Sequence, residues 1–224
     1  KKVAVLAVDP TSPFNMGSLL GDRIRMTAHF NHPDVFIRSV ATRGWVGGVS
    51  IKTMEMTDVL KAAGFDYVII ETVGVGQSEI DIAGLADITM VVLVPESGDE
   101  IQHIKSGLME IADAFVVNKA DRDIGDAFAN NLQKLIHYNQ VQVPVFKTVA
   151  TNATGIAQIL EHITTHQTTK SSKKLHLLTE KVYRLIQYNR MQGLEKNKLR
   201  EIIAGVYLMN DFNIYRFADS FINS

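Results

Sequence analysis

Short apolar, β-branched runs alternate with longer stretches in which apolar residues recur every three or four positions. Val3 to Val8 is an unbroken apolar run closed by Asp9-Pro10, and strand-like runs recur at Phe36 to Val40, Val68 to Ile70, Ile88 to Val94, Ala114 to Val117 and Val145 to Val149. Runs of this length suit strands of a parallel sheet covered on both faces. Helical spacing falls between them. It predicts a helix from Ile51 to Ala63, with Met54, Val59, Leu60 and Ala63 near one face and Gly64 as its stop. Ile101, Ile104, Leu108 and Ile111 trace a second stripe, Phe128, Leu132, Leu135 and Ile136 a third, and a further helix runs from about Gly155 to His166. Strand and helix alternate, so the pattern predicts an α/β fold: a mainly parallel sheet flanked by helices, with right-handed crossovers.

The pattern changes at Thr164 to Lys174, a polar connector without large apolar residues. It divides the chain into a sheet domain at 1–166, a linker at 167–174 and a helical arm at 175–224. In the arm, Leu175, Leu178, Val182, Leu185 and Ile186 keep helical spacing until Gly193. A second helix carries Leu199, Ile202, Ile203 and Val206, and a third, shorter one Tyr215, Phe217 and Phe221. Three helices are too few for a separate core, so they are expected to pack on the sheet domain or on another copy of it.

With 224 residues, 46% of them hydrophobic and 21% charged, the chain can bury one α/β core plus an appendage. A formal net charge of -1 supplies no basic field for nucleic acid, and no run of about 18 apolar residues exists to cross a bilayer. Neither nucleic acid nor membrane is expected as a partner. The absence of cysteine excludes disulfides, thiolate metal sites and thiol nucleophiles, and fits a reducing, cytoplasmic setting. The start, KKVAVLAVDP, reads as a strand rather than a signal peptide, and without an initiator Met it is expected to have lost residues upstream.

The chemistry centres on VIIETVGVGQSE, Val68 to Glu79. A buried strand delivers a carboxylate, Glu71, to its carboxyl edge, where open α/β sheets bind ligands, and opens into a loop with Gly74 and Gly76. A carboxylate there can hold a hard cation, and Gly74 lets its backbone N–H approach a terminal phosphate. This is the makeup of a metal and switch segment in a nucleotide hydrolase; a plain strand followed by a glycine turn would look the same. Asp9 brings a second acid to a second strand end. Thr11 to Met26 has the makeup of a loop feeding a helix, where Asp22, Arg23 and Arg25 can equally be a solvated face. Trp45, in the Gly-rich TRGWVGGVS, suits a core or interface anchor. Asp99 and Glu100 sit where a helix N-terminus favours acids, and Lys105 suits a solvated position on that helix. The most specific signal is Asn118-Lys119-Ala120-Asp121 at a strand end. An aspartate can accept from both N1–H and the exocyclic amine of guanine, donors that adenine does not present together, while a lysine stem covers the base and an asparagine braces the loop. A second polar strand end follows at Thr148 to Thr151, including Ala150.

Taken together, AVDPTSP (Ala7 to Pro13), GSLLGDRIRM (Gly17 to Met26), TRGWVGG (Thr42 to Gly48), ETVGVGQSE (Glu71 to Glu79), PESGDEIQHIKSG (Pro95 to Gly107) and NKAD (Asn118 to Asp121) resemble the MeaB/ArgK family. These are P-loop GTPase chaperones for adenosylcobalamin-dependent methylmalonyl-CoA mutase and related acyl-CoA mutases. The resemblance implies GTP or GDP as ligand and Mg²⁺ held by Asp9, Asp22 and Glu71. It implies a γ-phosphate switch at Gly74 and Gln77, and guanine recognition by Asn118, Lys119 and Asp121 with Ala150 and Thr151 beside them. It also implies a partner-facing switch at Asp99, Glu100, Gln102 and Lys105, and a homodimer made through the helical arm.

The family opens with a strand and a loop of the form G-x-x-G-x-G-K-S, which nothing in this sequence matches. Three charge-assisted hydrogen bonds fewer would remove roughly 5–9 kcal/mol of binding. Residues 1–224 alone are therefore expected neither to hold GTP tightly nor to hydrolyse it, whereas the intact protein would do both. No cobalamin ligand is expected: in the D-x-H-x-x-G pattern around His103, Ile101 and Ser106 take the Asp and Gly places. Two other readings stay open, a metal-insertion GTPase, against which the scattered histidines count, and a nucleotide-free interaction or dimerisation module.

Overall fold

The computed structural model describes residues 1–9, 26–41, 51–72, 82–95, 106–139, 141–165, 172–191, 193–207 and 212–222. In chain order these form β1 (Val3–Asp9), a short 3-10 turn (Thr27–His29), β2 (Val35–Ala41), α1 (Ile51–Ala62), β3 (Tyr67–Thr72) and β4 (Met90–Leu93). Then follow α2 (Ser106–Ile111), β5 (Ala114–Val117), α3 (Gly125–Tyr138), β6 (Val145–Lys147), a 3-10 turn (Ala150–Asn152) and α4 (Ile156–Thr165). The chain closes with α5 (Ser172–Met191), α6 (Lys196–Val206) and α7 (Ile214–Ile222).

Among the described residues every strand pair is parallel, as the alternation predicts, in the ladders β2-β1-β3 and β4-β5-β6. The strands that border each other in sequence, β3 and β4, are both sheet edges, and their middle residues Ile69 and Val92 stay 53% and 60% exposed. The central strands are the buried ones. Ala114, Phe115, Val116 and Val117 of β5 are all buried, and so are Ala4, Leu6, Ala7 and Val8 of β1, because a strand with ladders on both sides is also the one most completely covered above and below.

Packing follows the helical stripe on α3, but on α1 only Met54 and Leu60 of the expected face are buried: Val59 is 66% exposed and Ala63 is exposed, while Thr53 and Thr57 turn inward beside them. Phe128, Leu132 and Ile136 stand four residues apart on α3, so they share one face, and they pack with Met109, Ala112, Phe115 and Val117 against the second sheet. On the first sheet, Leu60 of α1 closes over Ala4, Leu6 and Val40. Met54, also on α1, packs with Ile82 and Leu85. α1 ends where Gly64 takes a left-handed backbone, φ 80°. Gly64 N–H then donates to Lys61 O and Phe65 N–H to Leu60 O, so carbonyls orphaned by the helix end find donors.

The chain divides into two compact units, Lys1–Lys181 and Val182–Ser224, with the division inside α5. Of the expected linker, Ser172 to Lys174 are the first turn of α5, since the apolar spacing that starts at Leu175 extends backwards over polar residues that helices tolerate at their ends; the rest lies outside the described residues. In the second unit, the Asn213 side-chain oxygen accepts from the N–H groups of Tyr215 and Arg216, capping α7.

Candidate nucleotide site

β5 and β6 pair with Val117 opposite Lys147, so their next residues, Asn118 and Thr148, leave the sheet side by side. Two loops are sewn together there. Thr148 N–H donates to Val117 O at 2.9 Å, and Ala120 N–H donates to Thr148 O at 3.0 Å. The Asn118 side-chain oxygen accepts from the Thr148 hydroxyl at 3.2 Å and from Ala150 N–H at 3.1 Å. Asn118 N–H itself donates to Leu93 O, which ties the tip of β4 to the same junction.

Beyond Asn118 the backbone turns sharply. Lys119 has φ 56°, a left-handed conformation that costs a non-glycine residue about 1–2 kcal/mol and persists only where its surroundings impose it. Arg122 N–H donates to Lys119 O and Gly125 N–H to Arg122 O, folding the loop back onto the start of α3. The approach requires glycine: a Cβ at Gly125 would lie 2.4 Å from Ala120 O. The turn leaves Lys119 and Asp121 exposed on its outer side, and Ala150 and Thr151 are exposed on the neighbouring loop. The α3 start is further linked to β6 by an ion pair between Lys147 and Asp126 at 2.8 Å; both partners are largely solvated, so it adds little to stability.

On the first sheet, β1 and β3 run parallel with Ala7 opposite Glu71 and Val8 opposite Thr72. Asp9 ends β1 two positions beyond Ala7, so its backbone is in phase with Glu71 at the same carboxyl rim. Glu71 is exposed there. Among the described residues no group of three or more carboxylates and histidines gathers as a ready cation cage. Asp22, Gly74, Gln77, Asp99, Glu100, Gln102 and Lys105 lie outside the described residues, as does Trp45.

The sequence reading gave Thr148 no role of its own. Its signal was modest, a hydroxyl residue directly after a strand, and only the pairing of β5 with β6 brings that hydroxyl to Asn118. The Lys147 and Asp126 contact was equally invisible, because the two stand far apart in the chain.

The profile of the family described as "Methylmalonyl Co-A mutase-associated GTPase MeaB" matches residues 1–202. A Pyrococcus horikoshii protein whose name gives it as a candidate GTPase is 48% identical over 172 residues, 74% of this chain and 54% of its own length. The GTPase ArgK of Escherichia coli is 35% identical over 222 residues, 96% of this chain and 65% of that protein. The mitochondrial methylmalonic aciduria type A homolog of Caenorhabditis elegans is 47% identical over 124 residues, 55% of this chain and 31% of its own. The chain thus spans about half the length of the first relatives it matches. Among solved structures, HypB from Helicobacter pylori in complex with nickel aligns over 74% of this chain and 79% of its own, with 19% identity and a TM-score of 0.49. By the extent of the profile match and of the sequence identity, this chain belongs to the MeaB family of methylmalonyl Co-A mutase-associated GTPases.

Proposed function

We propose that the whole protein is a GTP-hydrolysing chaperone whose nucleotide cycle serves an adenosylcobalamin-dependent acyl-CoA mutase of the methylmalonyl-CoA type, in the cytoplasm. The observation that carries this reading is the junction after β5 and β6. There Asn118 braces the loop by accepting from Thr148 and Ala150, while Lys119 and Asp121 are left exposed on its outer side. An exposed carboxylate on a braced turn can accept from the two adjacent donors of guanine, the Lys119 stem can cover the base, and Ala150 and Thr151 can border it. A ligand lacking those donors would leave Asp121 desolvated and unpaired, which is the physical source of selectivity.

On the first sheet the backbone positions of Glu71 and Asp9 are in phase on neighbouring strands, and carboxylates of Glu71, Asp9 and Asp22 would suit Mg²⁺. When bound, the ion would neutralise charge on the phosphoryl oxygens. Backbone N–H of Gly74 and the Gln77 side chain would hold the γ-phosphate and the attacking water. No side chain here supplies an evident general base, so hydrolysis by the intact protein is slow until a partner arranges Asp99, Glu100, Gln102 and Lys105. Cobalamin is not held by this chain. α5 supports a homodimer: Leu175, Leu178, Val182 and Ile186 recur at helical spacing and are all exposed.

The test is Asp121→Asn in the whole protein, measured by competition between GTP and xanthosine triphosphate. Xanthine exchanges the exocyclic donor for an acceptor. The preference should move toward xanthosine triphosphate by roughly 30–150-fold, the equivalent of about 2–3 kcal/mol. An unchanged preference would remove guanine from this site and leave the interaction-module reading in its place.

A further inference from the structure

We infer that Thr148 is a positioning residue for base selectivity, holding the Asn118 amide and through it the loop that carries Asp121. The inference rests on the guanine-nucleotide reading above. Three groups of this one residue bond to three successive parts of the loop: its N–H to Val117 O, its carbonyl from Ala120 N–H, and its hydroxyl to the Asn118 side-chain oxygen. Thr148 is 2% exposed, so its own side of these bonds is shielded from water.

The orientation of the Asn118 amide follows from chemistry. Ala150 N–H is a donor with no capacity to accept, so the Asn118 atom 3.1 Å away must be the oxygen. That oxygen already takes one donor, and the Thr148 hydroxyl therefore gives its own proton to the second lone pair. Both acceptor positions are filled, and the amide NH₂ is turned away from Thr148 and Ala150. The Thr148 methyl lies beside Gly155, 3.0 Å from where a Cβ there would stand, so glycine leaves it room. Thr148 is β-branched, so its χ1 choices are few and the hydrogen-bonded one fixes where its methyl lies. Valine in its place would set a methyl against the Asn118 oxygen and take away one of its two donors. Serine would keep the donor.

Thr148→Val and Thr148→Ser are to be compared in the whole protein by calorimetric titration with GDP and with inosine diphosphate, which lacks the exocyclic amine read by Asp121. Thr148→Val should lower GDP affinity about tenfold, or about 1.4 kcal/mol, with a smaller loss for inosine diphosphate, so that the ratio between them shrinks. Thr148→Ser should stay within about twofold of the parent on both. A general loss of folded protein would scale both ligands alike and leave the ratio in place, and that result overturns the inference, as does a Thr148→Val protein with parental affinities. If the unsubstituted protein binds no guanine nucleotide, the functional reading fails separately. Amide exchange at Ala150 in the 224-residue chain then decides whether the junction holds as described. Exchange that quickens in Thr148→Val but not in Thr148→Ser sustains it, and equal rates in both overturn it.

Discussion

Gly155 offers a measurement of how rigidly the β6 tip is built. Its φ is 78°, and a Cβ added there would stand 2.1 Å from Lys147 O, far inside the 3.0 Å that real Cβ atoms respect. Because the obstructing atom is backbone, relief requires moving the strand end or the loop. Gly64 is the matched control, with φ 80° and nothing within 4 Å of its would-be Cβ. Both alanine variants incur the left-handed penalty of about 1–2 kcal/mol, partly offset by about 0.4–1 kcal/mol from restricting the unfolded chain. Only Gly155→Ala adds a steric cost, of order 1–3 kcal/mol by analogy with overpacked cores. In a domain of this size each kcal/mol lowers Tm by about 2–4 °C, so Gly155→Ala should melt roughly 2–12 °C below Gly64→Ala. Thermal unfolding followed by circular dichroism reads the difference directly. Equal melting temperatures would mean that the β6 tip gives way without cost. The close approach of Gly155 to Lys147 O would then not exist as described.

Two further outcomes test the core and the strand bases. Leu132 is fully buried among Phe115, Val117, Phe128 and Ile136, so Leu132→Ala should cost about 2–5 kcal/mol in denaturant unfolding, and a loss under about 1 kcal/mol would show that α3 is not packed there. Asp66 accepts a hydrogen bond from Lys2 N–H at 2.7 Å and from the Lys1 ammonium at 3.4 Å, and the Lys2 bond foremost holds its carboxyl below the usual carboxylate range. A lowered folded-state pKa stabilises above the unfolded value and is lost as pH falls through the folded one. Asp66→Asn should therefore melt below the parent near neutral pH, with the gap closing as acid carries the pH below the usual carboxylate range; a gap that widens with acid would refute the assignment.

Much of the fold was legible because local physics wrote it into the chain. The alternation of apolar runs with 3.6-residue stripes placed α1 and α3, and Gly64 stopped α1 where only a left-handed backbone lets the carbonyls be capped. Strand ends were less legible. The run from Ile88 to Val94 forms a ladder only at Met90–Leu93, since pairing with the four-residue β5 limits how far β4 extends. For the site, motif spacing alone pointed to Asn118, Lys119 and Asp121, yet the residues that hold them in place could not be read, because hydrogen bonds between loops separated by a whole helix leave no periodic trace.

By itself, then, the sequence determined the parallel α/β class, the apolar helical tail and the residue types available for a nucleotide, all of which follow from interactions between near neighbours. Tertiary structure decided which strands pair and in what register. That register sets the backbone of Asp9 in phase with Glu71 and brings Thr148 to Asn118. These are choices among non-local pairings with similar local cost, and only the packing of the assembled sheets and helices selects one of them.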